Sequence, residues 1–366
     1  MPKKDGTLRP VLDFRAVNSQ SHIDKYSQRE VQDCIDELGR AQSTVFSSLD
    51  LTAGFWQLPL EEASRKYTAF TIPGLGSFEW NCTPMGLLGS PATFGRMMDF
   101  IMKFLSCITY QDDVLVHSKS HSQQLLELQK CFDRLRAHGL KLNVKKCSFG
   151  QSKVPYLGFL LTPEGILPGA EKTKAIMECA PPRNLRQVRE FTCLCNYFRA
   201  SVKNFSQIAA PLCQLTRLDS KWKGGELPPA AKKSFETLRA KLVDPPVLAY
   251  PNPDLDYHLM VDASVGSAEA PSGLGASLVQ TDKDDIPRAI GFASRGLSKH
   301  EKNYTAFLLE LQAACFGIDH FDVYLKGRKF SLHTDHRPLE KLSTTHTKTF
   351  NRLQQLMNEY LSLIHI

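Results

Sequence analysis

Residues 108–116 read Ile-Thr-Tyr-Gln-Asp-Asp-Val-Leu-Val. Two short β-rich runs, Ile108 to Tyr110 and Val114 to Val116, flank the polar tip Gln111-Asp112-Asp113, a pattern that predicts a hairpin. Two adjacent aspartates at a tight tip repel each other unless a cation sits between them. A third carboxylate, Asp50, ends the apolar strand predicted from Val45 to Leu51. The plain alternative is that hairpin tips and strand ends both favour Asp. The productive reading is phosphoryl transfer, in which two divalent ions about 3.5–4 Å apart clamp the attacking and leaving oxygens. Hard oxygen ligands favour Mg²⁺ for that role.

Working outward, residues 8–17, rich in Leu, Val and Phe, predict a strand behind a Lys-Asp-Gly turn. Residues 90–105 predict a helix capped by Ser90 with Pro91 in its first turn, its apolar side carrying Phe94, Met97, Met98, Ile101 and Leu105. A helix after the hairpin places Leu125, Leu128, Phe132 and Leu135 on one face. Residues 154–161 predict a strand pair, and 185–199 an amphipathic helix with Leu185, Val188, Phe191, Cys195 and Phe198 on its stripe. The stretch 219–253 holds Pro228-Pro229 and Pro245-Pro246, and its second half reads as a domain boundary. Beyond it come strands Tyr257–Val261, Gly275–Gln280 and Ala289–Ser294, a long helix near 303–325, and a strand Lys329–Thr334. Strands before and after a helix indicate a small α+β domain.

The bulk numbers agree with a globular, multidomain chain. It has 366 residues, 42% hydrophobic and 23% charged, with 45 basic against 38 acidic residues for a net +7. That charge only mildly favours a polyanionic partner. No apolar run is long enough to span a bilayer, and Met1 to Gly6 contain no signal-peptide core, which points to cytosol or nucleus by default. Ten scattered cysteines without a C-x-x-C pair read as reduced thiols.

Seven ordered blocks carry a family resemblance: KKDGTLRPVLDFRAVN (3–18), FSSLDLTAGFWQLPL (46–60), FEWNCTPMGLLGSPATFGRMMDF (78–100), TYQDDVLVHS (109–118), KLNVKKCSFG (141–150), VPYLGFLLTPEGI (154–166) and FSQIAAPLCQLT (205–216). The chain resembles the Pol polyprotein of Gypsy-type LTR retrotransposons and, more distantly, retroviral reverse transcriptase. The resemblance implies an α+β right-hand polymerase with fingers, palm and thumb, followed by an incomplete RNase H-like α/β domain. It implies RNA- and DNA-directed DNA synthesis with two Mg²⁺ per active site, for which Mn²⁺ can substitute. Asp50, Asp112 and Asp113 match the metal-binding catalytic triad, and Lys3 and Arg9 the fingers cations that hold the triphosphate. Phe55 matches the aromatic gate beneath the sugar, against the plain reading of an ordinary core aromatic; Met85 and Gly86 match the loop lining the nucleotide site. Tyr156-Leu157-Gly158 matches the primer grip. Gln111 departs from the family, which usually has an apolar residue there.

HLMVDASVGSAEAPSGLGASLVQ (258–280), FASRGLSKHEKNYTAFLLELQAA (292–314) and LHTDHRPLEKL (332–342) resemble a retroelement RNase H domain. Asp262, Glu310 and Asp335 match its metal-holding carboxylates; the plain readings are a solvated helix residue for Glu310 and a strand-end cap for Asp335. The family's fourth carboxylate finds no match here, so weak hybrid cleavage is expected. His333 and His336, and likewise His117 and His121, read as polar residues outside any metal site, the latter pair on the surface.

The boundaries expected are 1–165 for fingers and palm, with the fingers short at the N-terminus; 166–240 for thumb and connection; 241–252 for a linker; and 253–360 for the RNase H-like domain. Residues 361–366, Leu-Ser-Leu-Ile-His-Ile, spell what a common sequencing adapter encodes in frame, and are expected to be a non-native tail. The partners implied are an RNA template, a DNA primer, an RNA/DNA hybrid, dNTPs and other Pol or Gag products, within a cytoplasmic particle with a nuclear phase. Two alternatives come from other classes. One is a degenerate or domesticated remnant that binds nucleic acid without polymerising, and the other is a viral RNA-dependent RNA polymerase. Intact Asp50, Asp112 and Asp113 argue against the first, while Phe55 and the RNase H-like stretch argue against the second.

Overall fold

The computed structural model describes residues 11–22, 24–27, 29–266, 271–282 and 285–335, and the backbone of 364–365. Lys3, Arg9 and His336 lie outside the described residues. The chain divides into two compact units, Met1–Val154 and Pro155–Ile366.

The first unit contains helices α1 (Arg15–Gln20) and α2 (Val31–Ala41), strand β1 (Val45–Asp50), a 3-10 turn Gly54–Gln57, a short α3 (Glu62–Arg65) and the hairpin β2 (Phe70–Ile72) and β3 (Gly76–Phe78). Next come α4 (Ser90–Ile101), β4 (Cys107–Tyr110), β5 (Asp113–Ser118), α5 (His121–Ala137) and β6 (Ser148–Gln151). Four strands form one sheet in the order β4-β5-β1-β6. Leu49, Val114 and Val116 from this sheet interlock with Phe94 and Met98 of α4 and with Cys131 and Leu135 of α5. Each such large apolar side chain contributes about 1.5–3 kcal/mol by leaving water.

Local chemistry sets the ends of these helices. Ser120 accepts the Gln123 N–H at 3.3 Å and starts α5. Pro91 sits in the first turn of α4, where its missing N–H costs nothing. Ser90 is already inside that helix; Gly89 is the flanking residue, and the Ser90 hydroxyl donates to the Pro84 carbonyl instead.

Four expectations need correction in this unit. The described part of 8–17 is not a strand: the Asp13 carboxylate accepts the Arg15 N–H at 3.0 Å and closes a turn that leads into α1. The α4 helix stops at Ile101, and Phe104 takes a left-handed backbone at φ 66°. Leu125 is 70% exposed; the buried side of α5 is Gln124, Glu127, Leu128, Cys131 and Leu135, because Gln124 turns inward to bond Ser47, Ser118 and the Val116 carbonyl. His117 is buried rather than superficial, since it faces inward from β5 with Nδ1 2.8 Å from the Ser43 hydroxyl. His121 is exposed.

The second unit opens with strands β7 (Val154–Tyr156), β8 (Phe159–Thr162) and β9 (Gly165–Pro168), followed by helices α6 (Ala170–Met177), α7 (Leu185–Tyr197), α8 (Phe205–Leu215) and α9 (Pro229–Val243). Val188, Phe191, Phe198, Leu212, Phe235 and Leu238 form the helical core. Helix α9 lies mostly in the expected thumb and connection but runs past 240 into the expected linker; Pro229 begins this helix because its ring presets the first-turn φ.

A five-stranded sheet with helices follows: β10 (Tyr257–Ser264), β11 (Gly273–Thr281), β12 (Pro287–Gly296), helices α10 (Ala306–His320) and α11 (Asp322–Leu325), then β13 (Phe330–His333) and β14 (Ile364–His365). Its order is β12-β11-β10-β13-β14, with β10 antiparallel to β11 and parallel to β13. Leu259, Val261, Leu274 and Leu278 pack under Leu311, Ala314 and Ile318 of α10. Here β10 runs past Asp262, which lies within the strand rather than at its end. The expected helix 303–325 is two helices, because Thr305 caps α10 by accepting the Leu308 N–H and the first helix ends at His320. Backbone of the expected tail pairs with β13 at Phe330↔Ile364 and Ser331↔His365.

All ten cysteines are free thiols. No described helix is long and apolar enough to cross a membrane.

Candidate active sites

The first site is built by pairing register. Asp50, the last residue of β1, stands opposite Asp113, the first of β5. Asp113 also pairs with Tyr110 of β4 across the two-residue turn Gln111-Asp112. Gln111 holds φ 55°, a left-handed conformation that costs a non-glycine residue roughly 1–2 kcal/mol. That cost is the price of a turn tight enough to leave Asp112 beside the strand ends.

Burial foremost, then the charges of Asp112 and Asp50, push the Asp113 carboxyl up to about 6. Lys146 opposes them. Its ammonium lies 3.3 Å from Asp50 Oδ2, so the carboxylate group already draws in one cation. Cys147 accepts the Asp50 N–H at 3.4 Å, and the Asp50 carbonyl accepts from Asn143 at 2.8 Å, which fixes the strand end. Lys146 and Cys147 belong to a block quoted from the sequence, but nothing in its spacing tied them to Asp50. Among the described residues, no three His, Cys, Asp or Glu side chains stand in a set that would hold a metal ion as placed. The carboxylates of this site nonetheless fit a hard cation in donor chemistry, because all are oxygen ligands in mutual repulsion.

Gly54 packs against this cluster. A Cβ there would lie 3.0 Å from Phe94 Cζ and 3.1 Å from Asp112 Cβ. Phe55 follows in the 3-10 turn, half-buried, with its ring tilted against Phe94 at 5.1 Å between centroids. It packs partly buried against the edge of the core that holds Phe94 and Met98. Met85 and Gly86 lie in a loop, Gly86 with φ 99°. Asn18 braces that loop: its Nδ2 donates to the Gly86 carbonyl and its Oδ1 accepts the Leu88 N–H, each at 2.9 Å. Asn18 closes the first quoted block, and its role there was not legible from spacing.

In the second unit Tyr156, Leu157 and Gly158 join β7 to β8, with positive φ at both Leu157 (48°) and Gly158 (79°). The other carboxylate group gathers around Glu310 of α10. Glu310 is buried, contrary to the solvated reading, and its Oε1 accepts the Ala263 N–H at 3.0 Å. Its Oε2 is enclosed without a hydrogen-bond partner among the described residues. Burial foremost, then Asp335 and Asp262, push its carboxyl up to about 7, against downward pulls from the Ala263 N–H and the Thr334 hydroxyl. Asp262 and Asp335 are both exposed. A buried carboxylate that feels the charges of two exposed ones fits a cation-binding edge. His333 Nε2 lies 3.2 Å from His258 Nδ1 across β13 and β10.

Comparison with known proteins identifies both parts. Residues 1–161 match the family "Reverse transcriptase (RNA-dependent DNA polymerase)", and residues 227–332 match "RNase H-like domain found in reverse transcriptase". The chain is 34% identical over 338 residues to the retrovirus-related Pol polyprotein from transposon 412 of Drosophila melanogaster, covering 91% of this chain and 26% of that protein. It is 29% identical over 357 residues to the Tf2-3 transposon polyprotein of Schizosaccharomyces pombe, again covering 26% of that protein. The chain thus spans about a quarter of the length of these relatives. The fold is similar to that of a foamy viral protease-reverse transcriptase in complex with dsDNA, with TM-score 0.83 and 25% identity over 100% of this chain and 75% of that one. A second foamy viral structure, the dRH form with dsDNA, gives TM-score 0.85 at 24% identity, covering 100% of this chain and 63% of that one. The architecture is accordingly the α+β right-hand polymerase followed by an RNase H-like domain. By these matches the chain belongs to the Pol-polyprotein family of Gypsy-type LTR retrotransposons, with a reverse-transcriptase domain followed by an RNase H-like domain.

Proposed function

We propose that the chain is an RNA- and DNA-directed DNA polymerase acting through Asp50, Asp112 and Asp113. The observation that carries this reading is the facing of Asp50 and Asp113 across β1 and β5, with Asp112 in the adjoining turn. These three would hold two Mg²⁺ ions, or Mn²⁺ in their place. When bound, such ions neutralise charge on the transferring phosphoryl group and acidify the attacking hydroxyl. The chain's own residues do the rest. Two antiparallel strands hold Asp50 and Asp113 in fixed register, which pre-organises the site. Phe55 bounds the space under the sugar and excludes a 2′-hydroxyl, Met85 and Gly86 line the nucleotide, and Lys3 and Arg9 hold its triphosphate. Gln111 would lie close to the primer terminus.

Residues 156–158 are the proposed primer grip. The domain division proposed is 1–165, 166–240, 241–252 and 253–360, although helix α9 runs past the second boundary to Val243. Foamy viral relatives bind dsDNA and an RNA/DNA hybrid, and the same classes of nucleic acid are proposed here as template-primer. Contacts should be mainly to the backbone and to helix shape. A second activity, cleavage of the hybrid's RNA strand, would use Asp262, Glu310 and Asp335. Primer extension on poly(rA)/oligo(dT) with Mg²⁺ or Mn²⁺ tests the reading, and extension that persists in Asp112→Asn refutes it.

A further inference from the structure

The turn 156–158 carries a conformational oddity. Gly158 takes positive φ freely, but Leu157 also holds φ 48°, a region that side chains other than Gly, Asn and Asp rarely adopt. Something must hold it there, and the structure supplies four restraints from the same compact unit. The Tyr197 hydroxyl donates to the Leu157 carbonyl at 2.5 Å. The Tyr197 ring stacks on Phe159, the residue after the turn, with centroids 5.4 Å apart and planes at 28°. The same ring closes on Gly158, where an added Cβ would meet Tyr197 Cε1 at 3.4 Å. From the other side the Gly169 N–H donates to the Gly158 carbonyl at 2.9 Å.

Tyr197 is well placed to act as a clamp. It is the last residue of α7, a helix anchored by buried Val188, Phe191 and Cys195. The next residue, Phe198, is buried and meets Phe159 edge-on at 5.3 Å. Tyr197 itself remains 46% exposed, so its hydroxyl is not needed to fill the core. A rigid helix end therefore grips a strained turn through one donated hydrogen bond and one stacked ring.

We propose that Tyr197 is a positioning residue for DNA synthesis: its phenol locks the 156–158 turn in the conformation that orients the primer strand. This rests on the polymerase reading above. The strain at Leu157 gives a specific test, because Asn accepts positive φ more readily than Leu. In single-turnover extension by the full chain, Tyr197→Phe keeps the ring and removes only the donor. It should lower the extension rate about fivefold, the loss of one modest hydrogen bond, with the KM for dNTP changed by less than about twofold. In a Leu157→Asn background the same substitution should cost less than about twofold. A residue that merely stabilised the fold would not give this rescue.

Two outcomes overturn the proposal: Tyr197→Phe extending at the wild-type rate, or an equal penalty in both backgrounds. Hydrogen exchange of the 154–162 segment without substrate provides a readout independent of polymerase activity. It should speed up in Tyr197→Phe and change less between Leu157→Asn and the double variant, and unchanged exchange contradicts the clamp. Failure of the polymerase reading looks different: extension by the wild type that Asp112→Asn leaves intact, or no extension at all. Even then the exchange measurement decides on the clamp.

Discussion

Asp50 and Asp113 face each other as direct register partners on adjacent antiparallel strands, which places two like charges side by side at one end of the palm sheet. Cross-strand like charges are destabilising unless something relieves them. Lys146 relieves part of that repulsion, while burial and the neighbouring charges push Asp113 upward, the kind of perturbed carboxylate that clusters at functional sites.

Phe55 should select deoxynucleotides. Its half-buried ring is braced by Phe94 at 5.1 Å, so it cannot retreat easily from a bulkier sugar. Phe55→Val should raise ribonucleotide incorporation more than it lowers dNTP use. Competition of rNTP against dNTP on one template measures this, and an unchanged ratio would return Phe55 to a packing role.

Gly54 should be intolerant of a side chain. The Cβ of Gly54→Ala would meet Phe94 and Asp112 at 3.0 and 3.1 Å, so one of them must shift. Shifting Asp112 costs extension rate, and shifting Phe94 costs stability by about 1–3 kcal/mol. Denaturant midpoints and extension rates measured together separate the two, whereas a variant unchanged in both would show that the contact yields freely.

Glu310→Gln should stabilise the protein at alkaline pH. The folded-state value, about 7, lies above the ordinary 4.5, so the folded state binds the proton more tightly than the unfolded one. The stability linked to that proton is full below pH 4.5 and is lost as pH rises toward 7. Removing the charge should raise the melting temperature at pH 8 relative to wild type, and the gain should shrink toward pH 5. A constant difference across that range would contradict the assignment.

His117 should behave oppositely. Burial holds its ring below the ordinary 6.5, while the carboxylates of Glu37 and Glu127 pull weakly the other way. The folded state therefore binds fewer protons than the unfolded one below pH 6.5, and stability falls as pH drops through that value. An NMR titration of the ring should give a midpoint below 6.5; a midpoint at or above it would mean the ring is not desolvated.

Some of this was legible in the sequence for clear physical reasons. The hairpin was readable because apolar β-rich runs bracket a polar tip, and α7 because its stripe repeats at helical spacing. The strand predicted over 8–17 rested on loose alternation and β-rich composition behind a Lys-Asp-Gly turn, and Asp13 overrode it locally. No helix was read after Pro228-Pro229, although a proline pair can introduce one such as α9. Leu125 was placed on the wrong side of α5 because Gln124 and Glu127 take inward positions through polar contacts that periodicity does not register. The burial of Glu310 was hidden because α10 is apolar around much of its circumference and has no clear outer face. Lys146, Asn18 and Tyr197 act through long-range contacts that no local pattern encodes.

The central claim is that Asp50, Asp112 and Asp113 form one metal-dependent polymerising site. The most direct measurement is primer extension on poly(rA)/oligo(dT) with Mg²⁺ by wild type, Asp50→Asn and Asp112→Asn, alongside template-primer binding by each. Losing a carboxylate removes charge stabilisation only where the phosphoryl group transfers, so both variants should bind the duplex within about twofold of wild type and fail to extend it. Near-normal extension by either variant would contradict the account.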